Sequence, residues 1–127
     1  MSQGCINTYW TENDKEYGLA CLEVIDRENL QVVEEVSFHD EITVPYLPGF
    51  LAFRELPLIL NTVKLLKTKP DLFMFDGNGY LHPRHMGIVT HASFFLGKAT
   101  TGVAKNDYHI EGVEFVLPDN YEGACTK

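Results

Sequence analysis

Two stretches near the N-terminus alternate between apolar and polar residues in the way that half-buried strands do. They run from Tyr17 to Asp26 and from Leu30 to His39, and the short acidic segment between them has the composition of a hairpin turn. The preceding segment, Gly4 to Trp10, is predicted as the first strand. Three successive strands with short connections predict an antiparallel meander.

The pattern then becomes helical. From Arg54 to Lys67 the apolar residues recur at a spacing of three and four, which predicts an amphipathic helix with Pro57 in its first turn and Pro70 beyond its end. The residues on its apolar face are Leu56, Ile59, Leu60, Val63 and Leu66.

The remaining segments predict one more helix between two short strands. Asp71 to Asp76 is a short apolar run typical of a strand buried on both faces, Gly87 to Leu96 is predicted as a helix, and Thr100 to Ala104 as a last strand. The order β-β-β-α-β-α-β predicts an α/β fold, a mixed five-stranded sheet with flanking helices, and residues 1–127 are interpreted as one domain. Because such a sheet needs helices on both faces and the sequence supplies two, we expect some apolar surface to remain bare.

Charge is distributed unevenly along the chain. The net charge of −8 argues against a protein that coats nucleic acid non-specifically. Residues 56–105, however, hold six Lys or Arg against two Asp, a net of +4. This predicts either ordinary surface variation or a locally basic surface on an acidic protein. The sequence shows no signal peptide and no apolar run that could cross a bilayer, so we expect a cytoplasmic protein that does not bind membranes.

Two carboxylates stand where they could hold a metal ion. Asp76 ends the apolar strand, and ligands of open α/β sheets bind outside the carboxyl ends of strands. Glu55 opens the first predicted helix. Each residue also has an ordinary interpretation, since Asp-Gly favours turns and an acidic residue favours the start of a helix. Together, the two carboxylates could share Mg²⁺, which prefers oxygen ligands.

Other candidates lie in two loops and in the second helix. Tyr46, between Pro45 and Pro48, is either a rigid aromatic wedge or a core residue. Arg84 and Lys105 are either phosphate ligands or solvated surface charges. The ordinary interpretation of His91, inside a largely apolar helix, is a core histidine.

Several motifs, in order and with matching spacing, resemble the endonuclease V family. They are PYLPGFLAFRELP at residues 45–57, DGNGYLHPRHMG at 76–87, THASFFLG at 90–97 and TTGVAK at 100–105. The resemblance extends back to Gly4. It implies a ribonuclease-H-like fold and a Mg²⁺- or Mn²⁺-dependent endonuclease that cleaves DNA 3′ to deoxyinosine. Because some members of the family act on RNA, inosine-containing RNA is a second expected partner.

The resemblance also implies roles for individual residues. Glu55 and Asp76 correspond to metal-site carboxylates, and Lys105 to a catalytic-site lysine. Tyr46 corresponds to a wedge that separates the strands at the lesion. The remaining substrate-binding residues that it implies are Gly49, Gly79, His82 and His91.

The chain departs from the family pattern in its first strand. An essential Asp of the family corresponds to Ile6, and its neighbour Asn7 is expected to point to the opposite face of the strand. The resemblance further implies that the chain is cut at both ends and lacks another acidic residue. Two hypotheses therefore stand: an endonuclease of impaired activity, or a non-catalytic remnant that at most binds deaminated nucleic acid or a partner.

Overall fold

The predicted order of strands and helices is confirmed. The structure, a computed structural model, describes residues 2–105, 109–112, 114 and 116–125, with side chains from Asn7 onward. Its elements are β1 (Ser2–Glu12), β2 (Lys15–Ile25), β3 (Val32–Glu41), α1 (Leu51–Val63), β4 (Leu72–Asp76), α2 (Ile88–Leu96) and β5 (Ala99–Val103). None of the helices in this described part of the chain is long and apolar enough to cross a membrane.

The five strands form one mixed sheet in the order β3-β2-β1-β4-β5. The meander β1-β2-β3 is antiparallel, whereas β4 pairs in parallel with β1 and with β5. Parallel neighbours need a crossover connection, and α1 and α2 lie in the two crossovers. As predicted, Asp76 ends a strand with a neighbour on each side.

The core lies between the helices and one face of the sheet. Alternate residues of β2 and β4, such as Leu22 and Phe75, are buried against α1 and α2. The core residues that the helices contribute are Ala52, Leu56, Leu58, Ile59, Ile88, Val89 and Ala92. We call this the covered face of the sheet, and the opposite side the open face.

The bounds of α1 differ from the prediction. The helix begins at Leu51, three residues before the predicted start, and ends at Val63 instead of Lys67. Pro57 is therefore inside the helix and not in its first turn. The helix tolerates it because Pro57 is exposed, where solvent can bond the carbonyl that the missing N–H leaves without a donor.

The prediction that β4 is buried on both faces was wrong. Phe73 and Phe75 are buried, but Met74 between them is 38% exposed. In the described part of the chain the helices pack on the covered face, so the alternate residues of β4 meet solvent. The second helix also leaves Phe94 and Phe95 exposed, in line with the expectation of bare apolar surface.

Candidate active site

Asp76 lies at the carboxyl end of β4, where the chain leaves the sheet. It is exposed, and it pairs with Val103, the last residue of β5. Gly77 follows with a φ of 155°, and its N–H donates to the Val103 carbonyl at 3.0 Å. The segment then leads into α2 and does not return as a hairpin strand.

Glu55 is a buried carboxylate in the interior of α1. Its exposed fraction is 9%, and no acidic residue lies in the first turn of the helix, so its interpretation as a helix-start residue was wrong. The hydroxyl of Tyr9 donates a hydrogen bond to Glu55 Oε1. Burial and this bond raise the pKa of the Tyr9 phenol, which keeps the hydroxyl protonated as a donor. Because burying a carboxylate is costly, the hydrogen bond from Tyr9 helps to stabilise Glu55 at this position.

Tyr46 is exposed, so its interpretation as a core residue was wrong. Its exposed fraction is 63%. A turn follows in which the Phe50 N–H donates to the Leu47 carbonyl at 3.0 Å and Gly49 has a φ of 79°. Two prolines and this turn place the aromatic ring on a stiff segment outside the core.

The loop after Asp76 is fastened to the loop that carries Tyr46. Arg84 donates a hydrogen bond to the Gly49 carbonyl, and its guanidinium lies 4.2 Å from the ring centroid of Phe50. His82 is buried, with an exposed fraction of 6%, and also hydrogen-bonds the backbone of Gly49. Burial, and then the positive charge of Arg84, lower the pKa of His82, so this imidazole is neutral near pH 7. The contacts of Arg84 indicate that it positions a loop as well as adding charge.

A cavity of about 210 Å³ opens between these two loops and the helices. It brings together four of the predicted substrate-binding residues, and His91 packs edge-on against Phe53 with ring centroids 5.7 Å apart. The lining residues are Tyr46, Gly49, Leu51, Ala52, Phe53, Gly77, Asn78, His82, Arg84, Met86, Gly87, Ile88 and His91. His91 is half-buried at the cavity wall and not inside the core.

Gly79 and Lys105 are not among the residues that line the cavity. The Gly79 carbonyl accepts from the Gly87 N–H at 2.8 Å, and a side chain at position 79 would meet Thr90 at 3.2 Å. Gly79 therefore supports the loop instead of facing the cavity. Lys105 is exposed and follows β5 by two residues, which places it at the same edge of the sheet as Asp76.

The two carboxylates approach this edge from different sides. Alternation in β4 puts Asp76 opposite Phe75, whereas Glu55 belongs to α1 on the covered face. Among the described residues no group of three or more His, Cys, Asp or Glu side chains is placed to hold a metal. The donor set of two carboxylates still fits Mg²⁺, which is commonly held by one or two carboxylates and several waters. A shared ion between Glu55 and Asp76 stays a prediction.

The register of β1 shows which face of the sheet Ile6 and Asn7 belong to. The backbone of Ile6 pairs with Cys21, and its side chain lies outside the described residues. Asn7 pairs with the core residue Ala20, which places it on the covered face together with Tyr9, the partner of Glu55. The sequence interpretation set Asn7 aside because it points to the opposite face from Ile6, and it did not consider Tyr9. Alternation along the strand was the signal that groups Asn7 with Tyr9.

Comparison with known proteins identifies the family. A sequence model described as "Endonuclease V" matches residues 3–127. The chain is similar to an Endonuclease V of Clostridium acetobutylicum, with 59% identity over 116 residues, which are 91% of this chain and 50% of that protein. It therefore spans about half the length of the curated relatives it matches.

Solved structures agree with this identification. The Bacillus subtilis endonuclease V structure has a TM-score of 0.88 and 51% identity, over 98% of this chain and 53% of that one. A Ciona intestinalis endonuclease V, in complex with a 24mer DNA containing an inosine followed by a ribo-adenosine, has a TM-score of 0.79 and 28% identity, over 89% of this chain and 49% of that one. The fold is ribonuclease-H-like, as expected, and the chain belongs to the endonuclease V family.

Proposed function

We propose that this chain recognises and, in the setting of a complete active site, cleaves deaminated nucleic acid, at a phosphodiester 3′ to deoxyinosine in DNA. The observation that carries the proposal is the cavity that opens beside the end of β4, where Asp76 lies. Family membership supports the reaction class. The inosine-containing DNA in the complex of the Ciona relative supports the substrate class, and inosine in RNA is a second substrate to test.

The cavity suits one flipped base. Its volume of about 210 Å³ is below the roughly 300–1,000 Å³ of sites that hold drug-sized ligands. Its wall offers an aromatic ring for stacking at Phe53 and polar groups at Asn78 and His82. Enzymes that act on a damaged base take it out of the stack into a pocket of this kind. Tyr46, exposed at the rim, is positioned to fill the space that the flipped base leaves.

The reacting phosphate belongs at the edge of the sheet beside this cavity. Glu55 and Asp76 would hold Mg²⁺ or Mn²⁺, which when bound activates water and neutralises charge that develops on the phosphate. Lys105, exposed at the same edge, would pair with a phosphate oxygen as a point charge. Arg84, in turn, holds the loop of the base cavity through Gly49.

A second candidate function is binding without cleavage. It is favoured by Ile6, whose side chain offers no oxygen where the family has an Asp. It is also favoured because the described residues include no group of three or more His, Cys, Asp or Glu placed to hold a metal. Loss of a carboxylate from the metal site weakens the hold on the ion and frees its geometry. We therefore propose that the chain as given nicks poorly while it still recognises a deaminated base.

The test measures binding and nicking on the same oligonucleotides. A duplex with one deoxyinosine, a matched deoxyadenosine duplex and an inosine-containing RNA are compared with Mg²⁺ and with Mn²⁺. We expect preferential binding to an inosine substrate, which Tyr46→Ala weakens. Equal binding to the inosine and adenosine duplexes would contradict base recognition in this cavity.

Two variants that each add a carboxylate to the first strand then test which position completes the metal site. Ile6→Asp follows the sequence pattern, and Asn7→Asp follows the register, which puts residue 7 on the same face as the partner of Glu55. We expect one of them to raise metal-dependent nicking, and Glu55→Gln to abolish the gain. Robust nicking by the unmodified chain would show that it is not impaired.

A further inference from the structure

Tyr9 connects the first strand to the buried carboxylate of α1. It pairs with Gly18 on β2, at a position where the covered face of the sheet meets the helix. Its hydroxyl donates to Oε1 of Glu55, 46 residues further along the chain. One oxygen of this carboxylate thus accepts a hydrogen bond from a protein donor. Within the described part of the chain Oε2 has no such donor, and we take it as the oxygen that can bind another ligand.

The ring of Tyr9 is itself held in place. The guanidinium of Arg54 lies over the ring, 4.7 Å from its centroid. Arg54 is buried, with an exposed fraction of 7%. A buried arginine that touches the same tyrosine as the carboxylate restricts both the ring and its hydroxyl.

Arg54 is in turn fixed by two partners outside the helix. It donates to both carboxylate oxygens of Glu16, at 3.0 Å for the Nη1 bond, and to the carbonyl of Val44 at 3.0 Å. The contacts therefore form one chain from Glu16 through Arg54 and Tyr9 to Glu55. Because a two-pronged arginine–carboxylate pair fixes angle as well as distance, the chain ends in a carboxylate with little freedom to rotate.

We propose that Tyr9 is a positioning residue, whose hydroxyl fixes the Glu55 carboxylate so that Oε2 is presented to a divalent cation. The inference rests on the proposed function, since it takes Glu55 as a metal ligand. It assigns the first strand a contribution to the site that does not depend on the Asp of the family pattern, where this chain has Ile6. Removing the hydroxyl frees the carboxylate to rotate, so the ion loses affinity while its ligand is still present.

The test measures Mn²⁺ affinity by electron paramagnetic resonance on the full chain, without substrate. The variants are Tyr9→Phe, Glu55→Gln and the matched control Tyr17→Phe, which removes a tyrosine hydroxyl from the neighbouring strand. We expect Tyr9→Phe to weaken Mn²⁺ binding by roughly 10-fold, the lower end of the effect of removing a partner of a metal ligand. Tyr17→Phe should bind as the unmodified chain does, and thermal unfolding of each variant checks that it is folded.

The outcomes separate this inference from the proposed function. Binding that is lost in Glu55→Gln but unchanged in Tyr9→Phe would overturn the inference and leave Glu55 as a ligand. Binding that Glu55→Gln does not weaken, or no binding by the unmodified chain, would remove the metal role of Glu55 and the inference with it. An equal loss in Tyr9→Phe and Tyr17→Phe would mean a general effect on the sheet, which also overturns the inference.

Discussion

The two faces of the sheet differ in burial and in role, although they are built from alternate residues of the same strands. On the covered face, Leu22 and Phe75 pack into the core, and Tyr9 reaches Glu55. On the open face, Met74 is exposed, and Glu23 lies directly opposite Glu35 across β2 and β3. Burial therefore makes the covered face both the core and the support of the site. It also means that a substitution should have a very different effect one residue along the strand.

The largest difference between the faces is expected in the core. Leu22→Ala on β2 removes a side chain with no exposed surface and should lower the free energy of unfolding by about 2–5 kcal/mol. Met74→Ala on β4 is the matched change on the open face and should cost less than about 1 kcal/mol. Urea denaturation of both variants gives the two values. Similar losses would mean that the open face is covered in solution, by a second copy or by another part of the protein.

Gly102 tests how closely the covered face is packed at the sheet edge. A side chain at this position of β5 would lie 2.2 Å from the Gly77 carbonyl and 2.8 Å from Val89. Because the first of these atoms is backbone, Gly102→Ala should cost about 1–3 kcal/mol through forced displacement. Thr101→Ala, on the opposite side of the same strand, should cost less than about 0.5 kcal/mol. If the first variant unfolds at the same urea concentration as the unmodified chain, the loop after Asp76 adapts more easily than the structure indicates.

Replacing an acidic residue should have opposite effects on stability on the two faces at pH 7. Hydrogen bonds from Arg54 lower the pKa of Glu16, so its contribution to stability is complete above the unfolded pKa of roughly 4.3 and is lost as pH falls below it. Glu16→Gln should therefore destabilise the protein at pH 7, and the difference should shrink towards pH 3.

The open-face counterpart is Glu23→Gln. This change removes a like charge opposite Glu35 and should stabilise by about 0.2–1 kcal/mol at pH 7. Unfolding measured at a series of pH values distinguishes the two. A loss for Glu16→Gln that does not depend on pH would mean that its pairing with Arg54 contributes nothing.

The sequence predicted the fold better than it predicted the site. Periodicity was enough for the seven elements in order, because strand and helix spacing are local properties. Periodicity placed Glu55 at the start of the helix, which was wrong. The helix begins earlier, at Leu51, because its start depends on the turn at Pro48-Gly49. Periodicity missed Tyr9 because a bond across 46 residues of chain follows from tertiary packing, which no local pattern contains. The motif residues of the cavity were found through the family resemblance, and the cavity itself only through the structure.

The smallest expected difference is in the reactivity of two cysteines. Cys21 is half-buried on the open face of β2, and Cys125 is exposed. Burial, and then the charges of Glu35 and Glu23, raise the pKa of the Cys21 thiol. Because the thiolate is the reactive form, iodoacetamide should label Cys125 several-fold faster than Cys21 at pH 7.5, as read by mass spectrometry of the peptides.

The variant Glu35→Gln tests the cause of the difference in labelling rate between Cys21 and Cys125. It removes the larger of the two charge effects on Cys21 and leaves Cys125 unchanged, so labelling of Cys21 should accelerate while the Cys125 rate stays constant. Burial is the larger cause of the raised pKa, so the acceleration should be modest, and Cys21 should remain the slower of the two. If Cys21 instead stays unreactive in both proteins, the open face is shielded from solvent, and the contrast between the faces would have to be attributed to a covering partner and not to the sheet itself.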